Sequence, residues 1–274
     1  IAAEERGVRV RVVTESENVP DNRDVLISLQ RSGIPVIADA REGGLMHNKF
    51  AVIDGVWVWT GSWNVTRSGT YRNNNHAVLI TSPGLAENYT AEFEEMVARQ
   101  FGPTSPMNTP NPRLIVTSEV DGEVRRQVEV ENYFAPEDGV ADEIITQIES
   151  AQERIRFLAF VFTSDEIADV MLKRSAAGVV VQGVMESRNA DRQHDEYRRL
   201  KAAVHDVLLD GNPHLMHHKV IIIDDETIIL GSYNFTQSAE TTNDENLLII
   251  HDPAVARLFV EEFGRVYEQA RRAD

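Results

Sequence analysis

Short apolar runs separated by polar stretches recur along the whole chain, and their spacing switches between the periods of strand and helix. Residues 8–13, 50–53, 77–80, 155–162, 179–184, 220–223 and 247–250 read as strands. Segments 85–100 and 254–270 carry apolar residues at helical spacing, Leu258, Phe259, Phe263 and Val266 among them, and read as helices. A further helix is expected near 137–152. Thr163 with Glu166 forms a capping box for the next one, whose Ile167, Val170 and Met171 share a face. Such alternation predicts an α/β fold with helices packed against a central sheet.

The pattern is a repeat of itself. Leu45-Met46-His47-Asn48-Lys49 returns as Leu215-Met216-His217-His218-Lys219, and the register then holds without a gap. Asp54 falls on Asp224, Gly61-Ser62 on Gly231-Ser232, Asn64 on Asn234, Pro83 on Pro253 and Phe93 on Phe263. Upstream, Gly7 and Glu15-Ser16 fall on Gly178 and Glu186-Ser187 after a shift of one residue. A stretch rich in Pro, Gly102-Pro103-Thr104-Ser105-Pro106 followed by Asn108-Thr109-Pro110-Asn111-Pro112, separates the copies because it cannot continue a helix. Two strands at 113–119 and 123–131 follow, around a turn at Asp121-Gly122. The organisation expected is a first repeat over 1–101, a linker and hairpin over 102–133, and a second repeat over 134–274. Ile1 aligns with Leu172, inside a helix, so the first repeat is expected to be incomplete at its start, with a helix and a strand lying upstream.

Composition narrows the partners. With 44 acidic against 27 basic residues, the average surface repels nucleic acid and anionic membranes. No apolar stretch approaches the roughly 20 residues that span a bilayer, and a soluble chain is expected. Cys is absent, which excludes disulfides, thiolate metal sites and a Cys nucleophile. No obligate protein partner is evident, and nothing in the sequence assigns a compartment.

The chemistry lies in the two copies of His-x-Lys-(x)4-Asp. On a strand, the i, i+2 spacing of His47 and Lys49, or of His217 and Lys219, sends both side chains to one face. The apolar residues that follow read as strands buried on both faces, which places each motif at the exposed end of a buried strand. Imidazole can attack phosphorus while an ammonium neutralises the phosphate oxygens. Asn64 and Asn234 offer amide donors to the same oxygens, and the turns at Gly61-Ser62 and Gly231-Ser232 would bring backbone and the Ser62 and Ser232 hydroxyls close to them. A second His can protonate the leaving oxygen, so the reaction is expected to need neither a metal nor another cofactor.

These residues resemble the phospholipase D superfamily, whose signature is His-x-Lys-(x)4-Asp followed by Gly-Ser-x-Asn. Gly231-Ser232-Tyr233-Asn234-Phe235-Thr236 with Asn243-Asp244-Glu245-Asn246 looks like its small nuclease and cardiolipin-hydrolase branch. The resemblance implies two repeats related by a pseudo-twofold axis, each a mixed sheet flanked by helices, one active site at their interface, and a covalent phosphohistidine. It also implies a carboxylate near residue 245 that orients a ring through Nδ1. Pairing by position along the sequence puts Asn75 with His47 and Glu245 with His217, which suits His47 as nucleophile and His217 as acid. A carboxylate would equally stabilise an imidazolium formed during attack, which favours the reverse. The N-terminal His is the usual nucleophile of tandem members and decides for His47.

Blander roles are assigned elsewhere. Asp54 and Asp224 are expected to be buried partners of backbone donors or of a cation rather than proton carriers. His214, His217 and His218 suggest a metal set, but strand alternation turns His217 and His218 to opposite faces. Trp57 and Trp59 read as core or interface packing, while Trp63 and Tyr233 are divided between packing and stacking on a base or head group. The charged stretch 188–201, with Arg188, Arg192, Arg198, Arg199 and Lys201, reads as a solvated helix. The substrate expected is a phosphodiester. A phospholipid head group, whose single phosphate needs only the cations of the site, is slightly preferred over DNA or RNA, whose binding rests on clustered Lys and Arg.

Overall fold

The computed structural model describes residues 1–120, 122, 125–190, 194–204 and 206–273. In the first half α1 (Ala2–Glu5), β1 (Val12–Thr14), α2 (Arg23–Arg31) and β2 (Val36–Ala38) lead to an antiparallel set, β3 (Phe50–Ile53), β4 (Trp57–Gly61), α3 (Arg67–Tyr71) and β5 (Ala77–Thr81), closed by α4 (Pro83–Val97). A hairpin, β6 (Arg113–Ser118) and β7 (Arg126–Ala135), follows. The second half runs α5 (Val140–Ser150), β8 (Arg154–Ala159), α6 (Asp165–Ala176), β9 (Val180–Met185), α7 (Tyr197–Val204) and β10 (Val207–Leu209). It ends with β11 (Lys219–Ile223), β12 (Thr227–Gly231), α8 (Gln237–Thr241), β13 (Glu245–His251) and α9 (Pro253–Ala273). The order repeats: β1 to α4 reappear as β9 to α9.

An eight-stranded mixed sheet forms in the order β10-β9-β8-β11-β12-β13-β7-β6. The expected hairpin joins its edge, since β7 runs on to Ala135 and pairs with β13 from Ile250↔Val130 to Glu245↔Ala135. The turn expected at Asp121-Gly122 lies partly outside the described residues. In the first half the strands form two separate sheets, parallel β1-β2 and antiparallel β3-β4-β5. Among the described residues no strand stands between β1 and β3 as β8 stands between β9 and β11.

Two apolar cores result. One lies under α5 and α6, where Ile144, Ile148, Ile167 and Met171 meet Ile221, Ile223, Ile229 and Ile249. The other lies on the opposite face, where α9 and the first half meet the large sheet and Val58, Leu85 and Tyr89 pack with Val220, Ile222, Leu230 and Phe259. Each aliphatic side chain fully buried there contributes about 1.5–3 kcal/mol relative to exposure, so this second core holds the halves together. One expectation needs correction here: β11 is buried on both faces, but β3 is buried on one. Ile53, Trp57 and Leu79 are 49, 41 and 57 % exposed, because among the described residues no helical layer covers this face of β3-β4-β5 as α5 and α6 cover the large sheet. Trp57 is therefore not a core residue.

Local signals explain the helix starts. Ser82 caps α4, its hydroxyl accepting from Leu85 N with Pro83 in the first turn. Helix α6 is capped by Ser164, which accepts from Ile167 N, and not by the expected Thr163. Both residues can cap; the chain turns one residue later because Thr163 N and Ser164 N both bond Phe235 O. Of the helix expected over 188–201, the described residues show α7, Tyr197–Val204, and Arg192 lies outside the described residues.

Candidate active site

Each motif enters its strand beside the other repeat. Asp244 N bonds Leu45 O and His47 N bonds Asp244 O, while Asn74 N bonds Leu215 O and His217 N bonds Asn74 O. These crossed bridges, Met46↔Asp244 and Asn74↔Met216, stitch the halves about a pseudo-twofold axis. Two carboxylates that sequence reasoning did not single out hold the entering loops: Glu15 accepts from Met46 N and Glu186 from Met216 N, both at 2.7 Å. Their alignment within the repeat was the available signal.

Because the bridges cross, the orienting partners cross as well, and the expected pairing is corrected. His47 Nδ1 lies 2.7 Å from Glu245 Oε2, whereas His217 Nδ1 faces Ser62 O at 3.0 Å and Asn75 Oδ1 at 3.1 Å. The carbonyl can only accept, which fixes the hydrogen of His217 on Nδ1 and leaves Nε2 free. Glu245 is fully buried and is braced by Ser232 Oγ at 2.7 Å and Asn243 Nδ2 at 3.2 Å.

The serine hydroxyls are bonded within the protein. Ser232 Oγ donates to Glu245 and accepts from Asn246 N, and Ser62 Oγ accepts from His76 N and lies 3.5 Å from Asn75. Both hydroxyls support the residues that orient the rings. The glycines before them allow close approach of neighbouring strands: a Cβ would meet His76 O at 2.4 Å at Gly61 and Asn246 O at 2.1 Å at Gly231.

Both lysines point inward. Lys49 Nζ bonds His47 O, and Lys219 Nζ bonds His217 O at 3.1 Å while lying 4.5 Å from the centroid of Phe160. Phe160, unmarked by any motif, also packs against His217 at 4.4 Å between ring centroids. Burial pushes Lys49 down to about 8, and burial with the charge of Lys49 pushes Lys219 well below the usual lysine range. His217 is lowered by burial and by both lysines. His47 is lowered less simply: burial acts against protonation and Glu245 acts for it. Cations from both repeats thus converge in a desolvated place where Glu245 is the one carboxylate bonded to His47, His217, Lys49 or Lys219 among the described contacts.

The other candidates sort by position. Asn234 Oδ1 is buried without a partner, while Asn64 is exposed. Asp224 accepts from the backbone N–H groups of Gln152, Glu153 and Arg154 at 2.7–2.8 Å. Asp54 is exposed, so burial of both motif aspartates is corrected; the reason is that among the described residues no strand stands beside β3 as β8, whose entry Asp224 caps, stands beside β11. His218 turns away from His217 to His76 and Glu262, so the three histidines 214, 217 and 218 do not converge. Tyr233 is 1 % exposed and donates to Glu240, which makes it a packing residue, and Trp63 packs edge-on against Trp59 and donates to Thr70.

A buried pair of imidazoles flanked by two ammoniums suits an oxyanion that takes on charge during in-line attack. Comparison with known proteins identifies the family. The family model described as "Cardiolipin synthase, PLD-like domain" matches residues 1–97 and 144–267. A phospholipase D of Rickettsia conorii is 33 % identical over 134 residues, covering 49 % of this chain and 67 % of that protein. The human mitochondrial cardiolipin hydrolase is 33 % identical over 120 residues, covering 44 % of this chain and 48 % of its own length. The structure of a phosphatidylserine synthase from Haemophilus influenzae superposes with a TM-score of 0.68 over 98 % of this chain and 76 % of that one; at 12 % identity it speaks for the fold.

Proposed function

The chain belongs to the phospholipase D superfamily of phosphodiesterases, and from that premise we propose that it hydrolyses a phosphodiester through a phosphohistidine on His47, with a phospholipid head group as substrate. The convergence of Lys49 and Lys219, one from each repeat, beside His47 and His217 carries this reading. Two desolvated ammoniums repel each other until an anion lies between them, and a phosphate is the anion that two flanking imidazoles can cleave.

His47 is below its ordinary pKa and begins neutral at pH 7, as a nucleophile must. Its Nε2 attacks phosphorus while Nδ1–H stays on Glu245. The ring of the intermediate carries phosphorus on one nitrogen and hydrogen on the other, so it is cationic, and the buried carboxylate stabilises it until water arrives. His217, beside an amide and a carbonyl, gains no such support and is the stronger acid. Protonated in the field of the bound phosphate, it gives its Nε2 proton to the leaving oxygen. It then takes a proton from the water that breaks the bond between His47 and phosphorus. Exchange of the orienting partners therefore keeps the role of His47 and replaces its reason.

The acidic chain favours a substrate with one phosphate over a long polyanion, and the phospholipase and cardiolipin-hydrolase names of the relatives lean the same way. Parallel assays on phosphatidylcholine, cardiolipin, single-stranded DNA and RNA test it. Release of a head group or of phosphatidic acid is expected; cleavage of nucleic acid alone would replace the lipid reading with a nuclease.

A further inference from the structure

Helix α4 buries a polar face at helical spacing: Asn88, Glu92 and Glu95 are 0, 3 and 7 % exposed. Asn88 is satisfied by Asn111 and Asn132. Glu92 is not. Its Oε1 accepts from Asn48 Nδ2 at 2.9 Å, but its Oε2 is buried with no hydrogen-bond partner. Glu137, in the turn after β7, has a buried Oε2 in the same condition. One oxygen each of Glu92, Glu95 and Glu137 lies within 4.8 Å of the others. Burial, then the neighbouring carboxylates Glu137, Asp244 and Glu95, push the Glu92 carboxyl well above the usual range, and a protonated Glu92 can share a hydrogen bond with Glu137.

The second repeat shows how the same position is neutralised when it is complete. Glu92 corresponds to Glu262, which accepts from Arg265 at 2.6 and 2.7 Å and from His218 at 2.9 Å. Arg265 corresponds to Glu95. At the position where one repeat supplies a guanidinium, the other supplies a further carboxylate, and Glu137 adds a third. A buried carboxylate left without a partner is costly, and this cluster is relieved either by protons shared among its carboxyls or by a cation from outside the chain. The three carboxylates make an all-oxygen donor set, the preference of a hard divalent ion; Glu95 Oε1 also accepts from Asn108 Nδ2 at 3.4 Å.

We propose that Glu92, Glu95 and Glu137 bind one hard divalent cation, of which Ca2+ is the probe, joining α4 to the turn after β7. The site is separate from the reacting groups. It connects to them through Glu92 and Asn48, whose Oδ1 accepts from Asn246 at 2.8 Å, so the ion locks the repeat interface beneath His47 and Lys49.

The full chain, dialysed against chelator and then against buffer, would be titrated with Ca2+ by calorimetry and melted with and without it. One ion per chain is expected, with Tm rising by about 5 °C at roughly 100 times Kd. Glu95→Gln and Glu137→Gln should each weaken binding about tenfold or more. Glu95→Arg, which recreates the pair of the second repeat, should melt as high without Ca2+ as the parent does with it and bind none. Absence of both heat and Tm shift with Ca2+ and Mg2+ would overturn the proposal, as would binding of parental strength in Glu95→Gln and Glu137→Gln. So would a parent indifferent to Ca2+ whose Tm rises in Glu137→Gln, since the carboxylates would then be sharing a proton.

Discussion

At the scale of the residue, the side chains proposed to react were legible in the sequence and their hydrogen-bond partners were not. His47, Lys49, His217 and Lys219 stand out because strand geometry puts i and i+2 on one face. The ring partners could not be read, because Glu245 lies 28 residues beyond His217 yet is carried to His47 by a backbone bridge between the halves. Two predictions belong here. Lys49→Met and Lys219→Met should each lower kcat/KM by about 10²–10³, roughly 3–4 kcal/mol of barrier, with an unchanged circular dichroism spectrum. Steady-state kinetics on a substrate with a good leaving group checks this. Inorganic phosphate should raise Tm at pH 7 and do so less as pH rises through about 8, where Lys49 loses its proton in the folded protein. The sign for stability is opposite. Between that pH and 10.5, the ordinary lysine value, the unfolded chain binds more protons at Lys49, so this residue's contribution to stability increases with pH. Melting curves across this range, with and without phosphate, read both.

At the scale of the element, order and type were legible, and faces were legible only where both layers exist. The run 220–223 is buried on both sides as its composition suggests, but the equally apolar 50–53 is covered on one side, because cover depends on a helical layer that no local pattern encodes. The same asymmetry separates the two motif aspartates. Asp224 holds three backbone donors at the entry of β8; burial acts to raise its pKa and those donors outweigh it, leaving it below the usual range. Asp224→Ala should therefore cost about 2–3 kcal/mol of stability by denaturant titration, through donors left without their acceptor, with kcat little changed. Asp54→Ala, on an exposed residue, should shift stability by less than about 0.5 kcal/mol. The stability due to Asp224 is present above the unfolded carboxylate pKa and is lost as pH falls through its depressed folded value.

At the scale of the whole molecule, the duplication carried most of the inference. A register kept across two halves announces two like units, and a pseudo-twofold between them brings both motifs to one place. What the register concealed is where the copies diverge: Asn75 against Glu245, and Glu95 against Arg265. The first difference separates the two rings chemically; the second leaves a carboxylate cluster in one half. If the ion is structural and the chemistry belongs to the histidines, EDTA should lower Tm yet leave turnover intact well below the melting range. Loss of turnover on chelation there, with recovery on adding a divalent ion, would place a metal in the reaction. The most direct measurement of the central claim is to react His217→Ala and His47→Ala with a substrate bearing a good leaving group, quench, and map the phosphorylated peptide by mass spectrometry. The account predicts phosphate on His47 in His217→Ala and none on His217 in His47→Ala. Phosphate on His217 alone would contradict it.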